Sequence, residues 1–291
     1  MPELPEVEIT RRAIEPFLLQ RRIHSVETTP PSYFFLTPPE ALHTHLPGRC
    51  CLEVIRIGKY LMAPLDDGWS LHLHLGMTGQ VLSGRVPGML PPSRACAPRP
   101  STSALRELRP DRHSHLLIHF ADAGPSLMVR DVRKFGKCAL RPPGQLEPRH
   151  ARLGPDALDI RADELYEATR RRKVDIKTLL LDQSVLAGVG NIYADEALFL
   201  AGLRPTRSAA KLTLRQCSSL VAALRRVLAE AIARGGSSIS DFVHLDGSGG
   251  GFQRCHSVYG RSGQPCRSCG VLIRRLVTGG RSAHFCPRCQ H

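Results

Sequence analysis

The chain has 291 residues, 42% of them apolar, which exceeds what a single core holds and suffices to fill two or more packed units. Forty Lys and Arg against 26 Asp and Glu leave a net charge of +14, a surplus that fits a polyanionic partner, nucleic acid ahead of an anionic membrane surface. Glu3, Glu6, Glu8 and Glu15 break up the first twenty residues, which speaks against a secretory signal, and no stretch is long enough to span a bilayer. The expected location is therefore the cytoplasm, where the ten Cys read as thiols and metal ligands rather than as a disulfide framework.

Residues 3 to 18 place Leu4, Val7, Ile14 and Leu18 on one helical stripe, with Pro5 tolerated in the first turn and Pro16 drawing the helix toward its end. From about 23 to 140 the period changes to two, clearest in Leu71-His72-Leu73-His74-Leu75 and again at Leu116 to Phe120 and Leu127 to Val132, which predicts a β-rich domain built as a sandwich. Within it, residues 83 to 110 are rich in Pro, Ser and Arg and read as a long surface loop of no assigned function. Pro and Gly density around 141 to 155 marks a linker, and helical patterns follow to about 234.

An apolar helix through Leu179, Leu180 and Leu181 runs into Gly188-Val-Gly190-Asn191, and a second helix begins at Asn191 as its cap and stops near Gly202. Thr213-Leu-Arg-Gln216 has the spacing of a capping box; the stripe Leu220, Leu224, Val227, Leu228 and Ala231 follows it and ends at Gly235-Gly236. Gly188-Val-Gly190 lacks the third glycine and the preceding strand of a dinucleotide fingerprint, so no nucleotide cofactor is expected. The Arg170-Arg-Arg-Lys173 run reads as a solvated or nonspecific DNA-facing patch.

Near the C-terminus Cys266-x-x-Cys269 and Cys286-x-x-Cys289 enclose sixteen residues, the spacing of a zinc ribbon with two knuckles. Four thiolates saturate a Zn2+ ion, so one structural ion is expected, holding a hairpin too short to have its own core. The loop between the knuckles carries Arg274, Arg275 and Arg281, with Arg281 near its tip. From Arg254 to His291 there are seven Arg and no Asp, Glu or Lys, which makes phosphate contact the better reading than solvation alone. Cys50, Cys51, Cys96, Cys138, Cys217 and Cys255 show no such pairing and read as core or incidental residues.

At the other end, removal of Met1 would expose the secondary amine of Pro2. An α-amino group titrates at roughly 7.7 to 8.0, so a useful fraction is unprotonated near neutrality and could attack an electrophilic sugar carbon to form an iminium. Glu3 and Glu6 follow within one helical turn and could move protons there. Met-Pro starts are common, and carboxylates at a helix N-terminus are favoured by its dipole; the arrangement thus also has an ordinary explanation.

Together, Pro2-Glu-Leu-Pro-Glu-Val-Glu8, Gly188-Val-Gly-Asn-Ile-Tyr-Ala194 and the four-cysteine finger resemble the formamidopyrimidine-DNA glycosylase family, in the family's order and over nearly the whole chain. The resemblance implies an α+β multidomain fold: an N-terminal catalytic β-sandwich with flanking helices (1–140), a helix-two-turn-helix domain (141–240), and a flexible lesion loop with a zinc finger (241–291). DNA would cross the cleft between the lobes. The implied activity is a bifunctional DNA glycosylase and abasic-site lyase of base excision repair. It would excise 8-oxoguanine and formamidopyrimidines from duplex DNA through a Pro2 Schiff base and β,δ-elimination, acting as a monomer with no membrane partner.

By matching motif, Pro2 is the implied nucleophile, Glu3 and Glu6 the acid/base and stabilising carboxylates, and Lys59 in Gly58-Lys-Tyr60 the hairpin lysine near the active site. Met77, Arg133 and Phe135 match the trio that fills the hole left by a flipped nucleotide, an apolar wedge plus a cation for the orphaned base. Their ordinary reading is core packing for Met77 and Phe135. Where the family has Asp-Pro-Arg-Arg-Phe-Gly this chain has Val132 and Lys134, which bears on how rigid the loop is. Asn191 and Arg281 match a phosphate clamp, Lys177 a basic position near the lesion, and Gly249-Gly-Gly251 part of a segment that encloses it. The nearest rival is the related branch that acts on oxidised pyrimidines, which typically reads Glu-Gly-Pro-Glu where this chain has Glu3-Leu-Pro-Glu6. A noncatalytic zinc protein that binds DNA or RNA is the alternative from another class.

Overall fold

The computed structural model describes residues 2–87, 107–122, 124–238 and 242–291. They form two compact units, one of Pro2, Glu6–His150 and Ser237–Gly250, the other of Glu3–Pro5, Ala151–Gly236 and Gly251–His291.

The first unit takes most of α1 (Leu4–Leu18), then β1 (Ile23–Thr28), α2 (Pro39–His45), β2 (Ile55–Ile57), β3 (Tyr60–Pro64), β4 (Ser70–His74), β5 (Gly79–Gly84), β6 (Ser114–Phe120), β7 (Ser126–Asp131) and β8 (Lys137–Arg141). The strands make two antiparallel four-stranded sheets, β1-β6-β7-β5 and β2-β3-β4-β8. Val26, Val81, Ile118 and Val129 of one sheet share a single core with Leu61, Leu71, Leu73 and Leu140 of the other, the sandwich that the alternation predicts. Val7, Ile14 and Leu18 of α1 complete that core, whereas Leu4 at the start of the same stripe is buried in the core of the second unit.

Strands β6 and β7 are buried on both faces, which simple alternation does not foresee. Leu82, Leu117 and Met128 point away from the sandwich core and pack with Leu108, with Val243 beside them. Leu108 lies in the stretch read from sequence as a surface loop. Its backbone N–H donates to the Arg85 carbonyl at 2.7 Å, and Arg85 pairs with Glu107 as an isolated bridge. The two ends of that stretch thus meet on the sheet; residues 88–106 lie outside the described residues.

The second unit contains α3 (Ala162–Arg170), α4 (Ile176–Leu181), α5 (Asn191–Leu200), α6 (Leu214–Ala233) and the antiparallel hairpin β9 (Arg274–Thr278) and β10 (Arg281–Phe285). The capping box predicted for α6 is present: the Thr213 hydroxyl accepts from Gln216 N at 3.2 Å, and Thr213 N donates to Gln216 Oε1 at 3.0 Å. Leu220, Leu224, Val227 and Leu228 face a core shared with Leu179, Leu180, Tyr193 and Leu198. Helix α5 is buried nearly all round and includes two charged residues, Asp195 and Glu196, both under 5% exposed. Among the described residues no helix is long and apolar enough to cross a membrane.

Candidate active site and DNA-contacting surface

In the second unit the site is organised by Glu3. Its carboxylate is 2% exposed and accepts hydrogen bonds from Gly190 N at 2.8 Å, Ile192 N at 3.0 Å and Tyr193 N at 3.4 Å, which are donors at the start of α5. A helix N-terminus leaves such N–H groups unsatisfied and favours negative charge, so Glu3 is fixed in position and orientation. The close approach depends on two glycines. A Cβ on Gly190 would lie 2.3 Å from Glu3 Cδ, and one on Gly188, at φ +101°, would lie 2.6 Å from Leu4 Cδ1. Gly188-Val-Gly190 is therefore the seat of Glu3 and Leu4, not a nucleotide loop.

This arrangement corrects the reading of Asn191. Gly190 is the cap of α5 and Asn191 its first residue, and the backbone donors at the start of the helix hold Glu3. The Asn191 side chain turns toward the ribbon, with Nδ2 3.4 Å from Ser282 Oγ. Ser282 adjoins Arg281, which is exposed directly after the Gly279-Gly280 turn of the hairpin. The fold thus brings Asn191 and Arg281 to neighbouring positions.

Lys177 departs further from expectation. It is fully buried, pairs with Asp195 at 2.6 Å and donates to the Ser282 carbonyl. Asp195 also accepts from His284 N at 2.9 Å and lies 3.0 Å from His284 Nδ1. Burial pulls the lysine's pKa down. A lysine with no exposed surface joins α4, α5 and β10 through this internal ion pair.

In the first unit Pro2 is buried, and Glu6 is 1% exposed with Oε1 accepting from Ser237 N at 2.9 Å. Lys59 sits in the turn between β2 and β3 and is 7% exposed, a buried hairpin lysine. Near it, His74 has its pKa pushed down to about 4, first by burial and then by the charges of Lys59, Arg149 and Lys137.

Met77 lies in the β4–β5 turn, and Arg133 and Phe135 in the β7–β8 loop. Phe135 is 44% exposed, which overturns the core reading for it, and the Arg133 guanidinium stands 4.6 Å from its ring centroid. The two turns are packed backbone on backbone: a Cβ on Gly76, at φ +63°, would lie 2.4 Å from Gly136 N. Asp131, fully buried, ties them together. One carboxylate oxygen accepts from the Thr78 hydroxyl and from Arg133 N at 3.2 Å, and the other from Gly136 N at 2.7 Å. Val132 and Lys134 therefore do not leave the loop unsupported, although Lys134 adopts a positive φ of 57°.

The four cysteines Cys266, Cys269, Cys286 and Cys289 bring all their Sγ atoms within 4.8 Å of one another, with Cys269 and Cys286 3.4 Å apart and Cys266 and Cys289 3.9 Å apart. Tetrahedral zinc with bonds of about 2.3 Å separates its sulfurs by about 3.8 Å, so the set fits one structural Zn2+ with no position left for a substrate.

Matches to known families cover these parts in order. Residues 1–138 match the formamidopyrimidine-DNA glycosylase N-terminal domain, 153–243 the H2TH domain of the same enzymes, and 263–291 the zinc finger found in FPG and IleRS. The chain belongs to the formamidopyrimidine-DNA glycosylase family. Formamidopyrimidine-DNA glycosylases of Thioalkalivibrio sulfidiphilus and Solibacter usitatus are 41% and 39% identical to it, over 100% of this chain and 100% and 99% of theirs. The MutM (Fpg) protein of Thermus thermophilus superposes with a TM-score of 0.82 at 39% identity, covering 99% of this chain and 98% of that one. A Lactococcus lactis FPG mutant in complex with Fapy-dG-containing DNA gives 0.84 at 35%, covering both chains fully. Family membership makes the chain a DNA glycosylase of base excision repair with a zinc finger.

Two groups of residues in this family member carry structure that the sequence reading did not assign. Asp131 was visible only as the first letter of a motif. Asp195 and Glu196 had a better signal: adjacent carboxylates in an otherwise apolar helix require buried partners. Glu196 finds them in Ser257 N, Val258 N and Tyr259 N at 2.8 to 3.0 Å, at the entry to the ribbon.

Proposed function

We propose that the chain removes 8-oxoguanine and ring-opened formamidopyrimidines from duplex DNA, with Pro2 as nucleophile, and then cleaves the strand by β,δ-elimination. The observation that carries this reading is the seating of Glu3, directly after Pro2, on the three N–H groups that open α5. With Met1 removed, the Pro2 nitrogen attacks C1′, the damaged base leaves with a proton, and opening of the sugar gives an iminium on Pro2 from which the 3′ and then the 5′ phosphate are eliminated. Glu3 serves as the positioned proton carrier and Glu6 as a stabilising carboxylate that also holds the chain at Ser237. Lys59 supplies a buried cation, Met77, Arg133 and Phe135 fill the space of the everted nucleotide, and Asn191 with Arg281 holds a backbone phosphate.

These roles divide along the chain as a catalytic sandwich (1–140), a helical DNA-binding part (141–240), and a lesion segment with zinc finger (241–291). Its place of action is the bacterial cytoplasm, at nucleoid DNA. Incision of matched duplexes tests the substrate. Faster cleavage at 8-oxoguanine opposite cytosine than at thymine glycol is expected; the reverse order would move the chain to the oxidised-pyrimidine branch. Pro2→Gly is expected to abolish covalent trapping and to retain DNA binding, and an unchanged trapping yield would remove Pro2 from the nucleophile's place.

A further inference from the structure

Beside the wedge loop stands an aromatic residue that the function above does not use. Tyr33 is 61% exposed, its hydroxyl donates to the Arg133 carbonyl at 3.3 Å, and the Lys137 ammonium lies 4.9 Å from its ring centroid. Lys137 in turn donates to the carbonyls of Lys134 at 3.4 Å and Gly136 at 3.1 Å. Single exposed apolar residues need no explanation. Here, however, Tyr33, Val132 and Phe135, all more than 40% exposed, occur on two adjoining loops interleaved with Arg133, Lys134 and Lys137. The only acidic residue within 29–36 or 131–137 is Asp131, which is fully buried. Aromatic faces alternating with cations form the surface on which nucleic-acid bases stack while phosphates are neutralised.

We propose that Tyr33 is a further DNA-contacting residue, a stacking platform for the undamaged strand, with Lys137 as its phosphate-facing cation. The proposal rests on the wedge role of Arg133 and Phe135. Arg133 faces the orphaned base and the Tyr33 hydroxyl holds the backbone of Arg133, so the ring lies where the neighbouring nucleotide of that strand passes. Because every base has a π face, the platform adds affinity with little sequence preference.

The test is binding of the full-length, zinc-loaded protein to a duplex with a tetrahydrofuran abasic analogue opposite cytosine, followed by fluorescence anisotropy. The undamaged strand carries 2-aminopurine beside that cytosine as a stacking reporter. Tyr33→Ala is expected to weaken binding about ten-fold and to change the 2-aminopurine signal, whereas Tyr33→Phe, which keeps the ring, stays within about two-fold of the parent. Equal losses in Tyr33→Phe and Tyr33→Ala would reduce Tyr33 to a prop for the Arg133 carbonyl and overturn the proposal. So would parental binding by Tyr33→Ala when Phe135→Ala binds poorly. Parental binding by Phe135→Ala as well would instead bring down the wedge reading itself. Melting curves of each variant separate lost contacts from lost fold, which an exposed position makes easy to preserve.

Discussion

Gly190 is the residue on which the position of Glu3 depends most directly. Gly190→Ala places a methyl group 2.3 Å from Glu3 Cδ, so the carboxylate must leave at least one of its three donors. We expect base release to fall by at least ten-fold, the cost of misplacing a proton carrier by about an ångström, as single-turnover incision would measure. Lys177→Met tests the buried pair in a different way: it leaves Asp195 charged, buried and short of one partner, and breaking such a pair costs about 3–5 kcal/mol. Denaturant unfolding should show that loss. Residues with a local rule were legible in the sequence, as at Thr213 and Gln216. Lys177 was not, because its partners Asp195 and the Ser282 carbonyl lie 18 and 105 residues away.

At the scale of elements, the β4–β5 turn and the β7–β8 loop act as one body through Asp131. Asp131→Ala removes the acceptor for the buried Thr78 hydroxyl and Gly136 N and one of the two acceptors of Arg133 N, leaving the buried donors unsatisfied at about 1–3 kcal/mol each. Affinity for an abasic-analogue duplex should fall more than it does for Met77→Ala alone; an equal or smaller effect would show that the wedge needs no such tie. The strands, the α6 cap and the cysteine knuckles followed from period and spacing. The second buried face of β6 and β7 did not, since Leu108 and Val243 come from segments that carry no period of their own. The α5 cap also stands one residue earlier than the sequence suggests: Asn is a better cap than Gly by propensity, but Glu3 supplies from outside the helix the acceptor a cap would provide.

For the whole molecule, charge, metal and pH give separate handles. Chelation of zinc should unfold the ribbon that presents Arg281 and abolish DNA binding, since four thiolates without an ion lose what holds so short a hairpin. The buried imidazoles of His72 and His256 have their pKa pushed down to about 4, chiefly by burial. Unfolded histidine titrates at about 6.5, so the unfolded state takes up protons first as pH falls. Their stabilisation is complete above pH ~6.5 and is lost progressively toward pH ~4; Tm should be level from pH ~8 to ~7 and decline below, with a shallower decline in His72→Gln.

The proposed reaction requires a covalent bond between Pro2 and DNA. Borohydride reduction of the protein on an 8-oxoguanine:cytosine duplex, followed by mass spectrometry of the cross-linked peptide, tests it most directly. The expected result is a peptide lacking Met1 and carrying the sugar adduct on Pro2. An adduct on a lysine, or no adduct from zinc-loaded protein that lacks Met1, would contradict it.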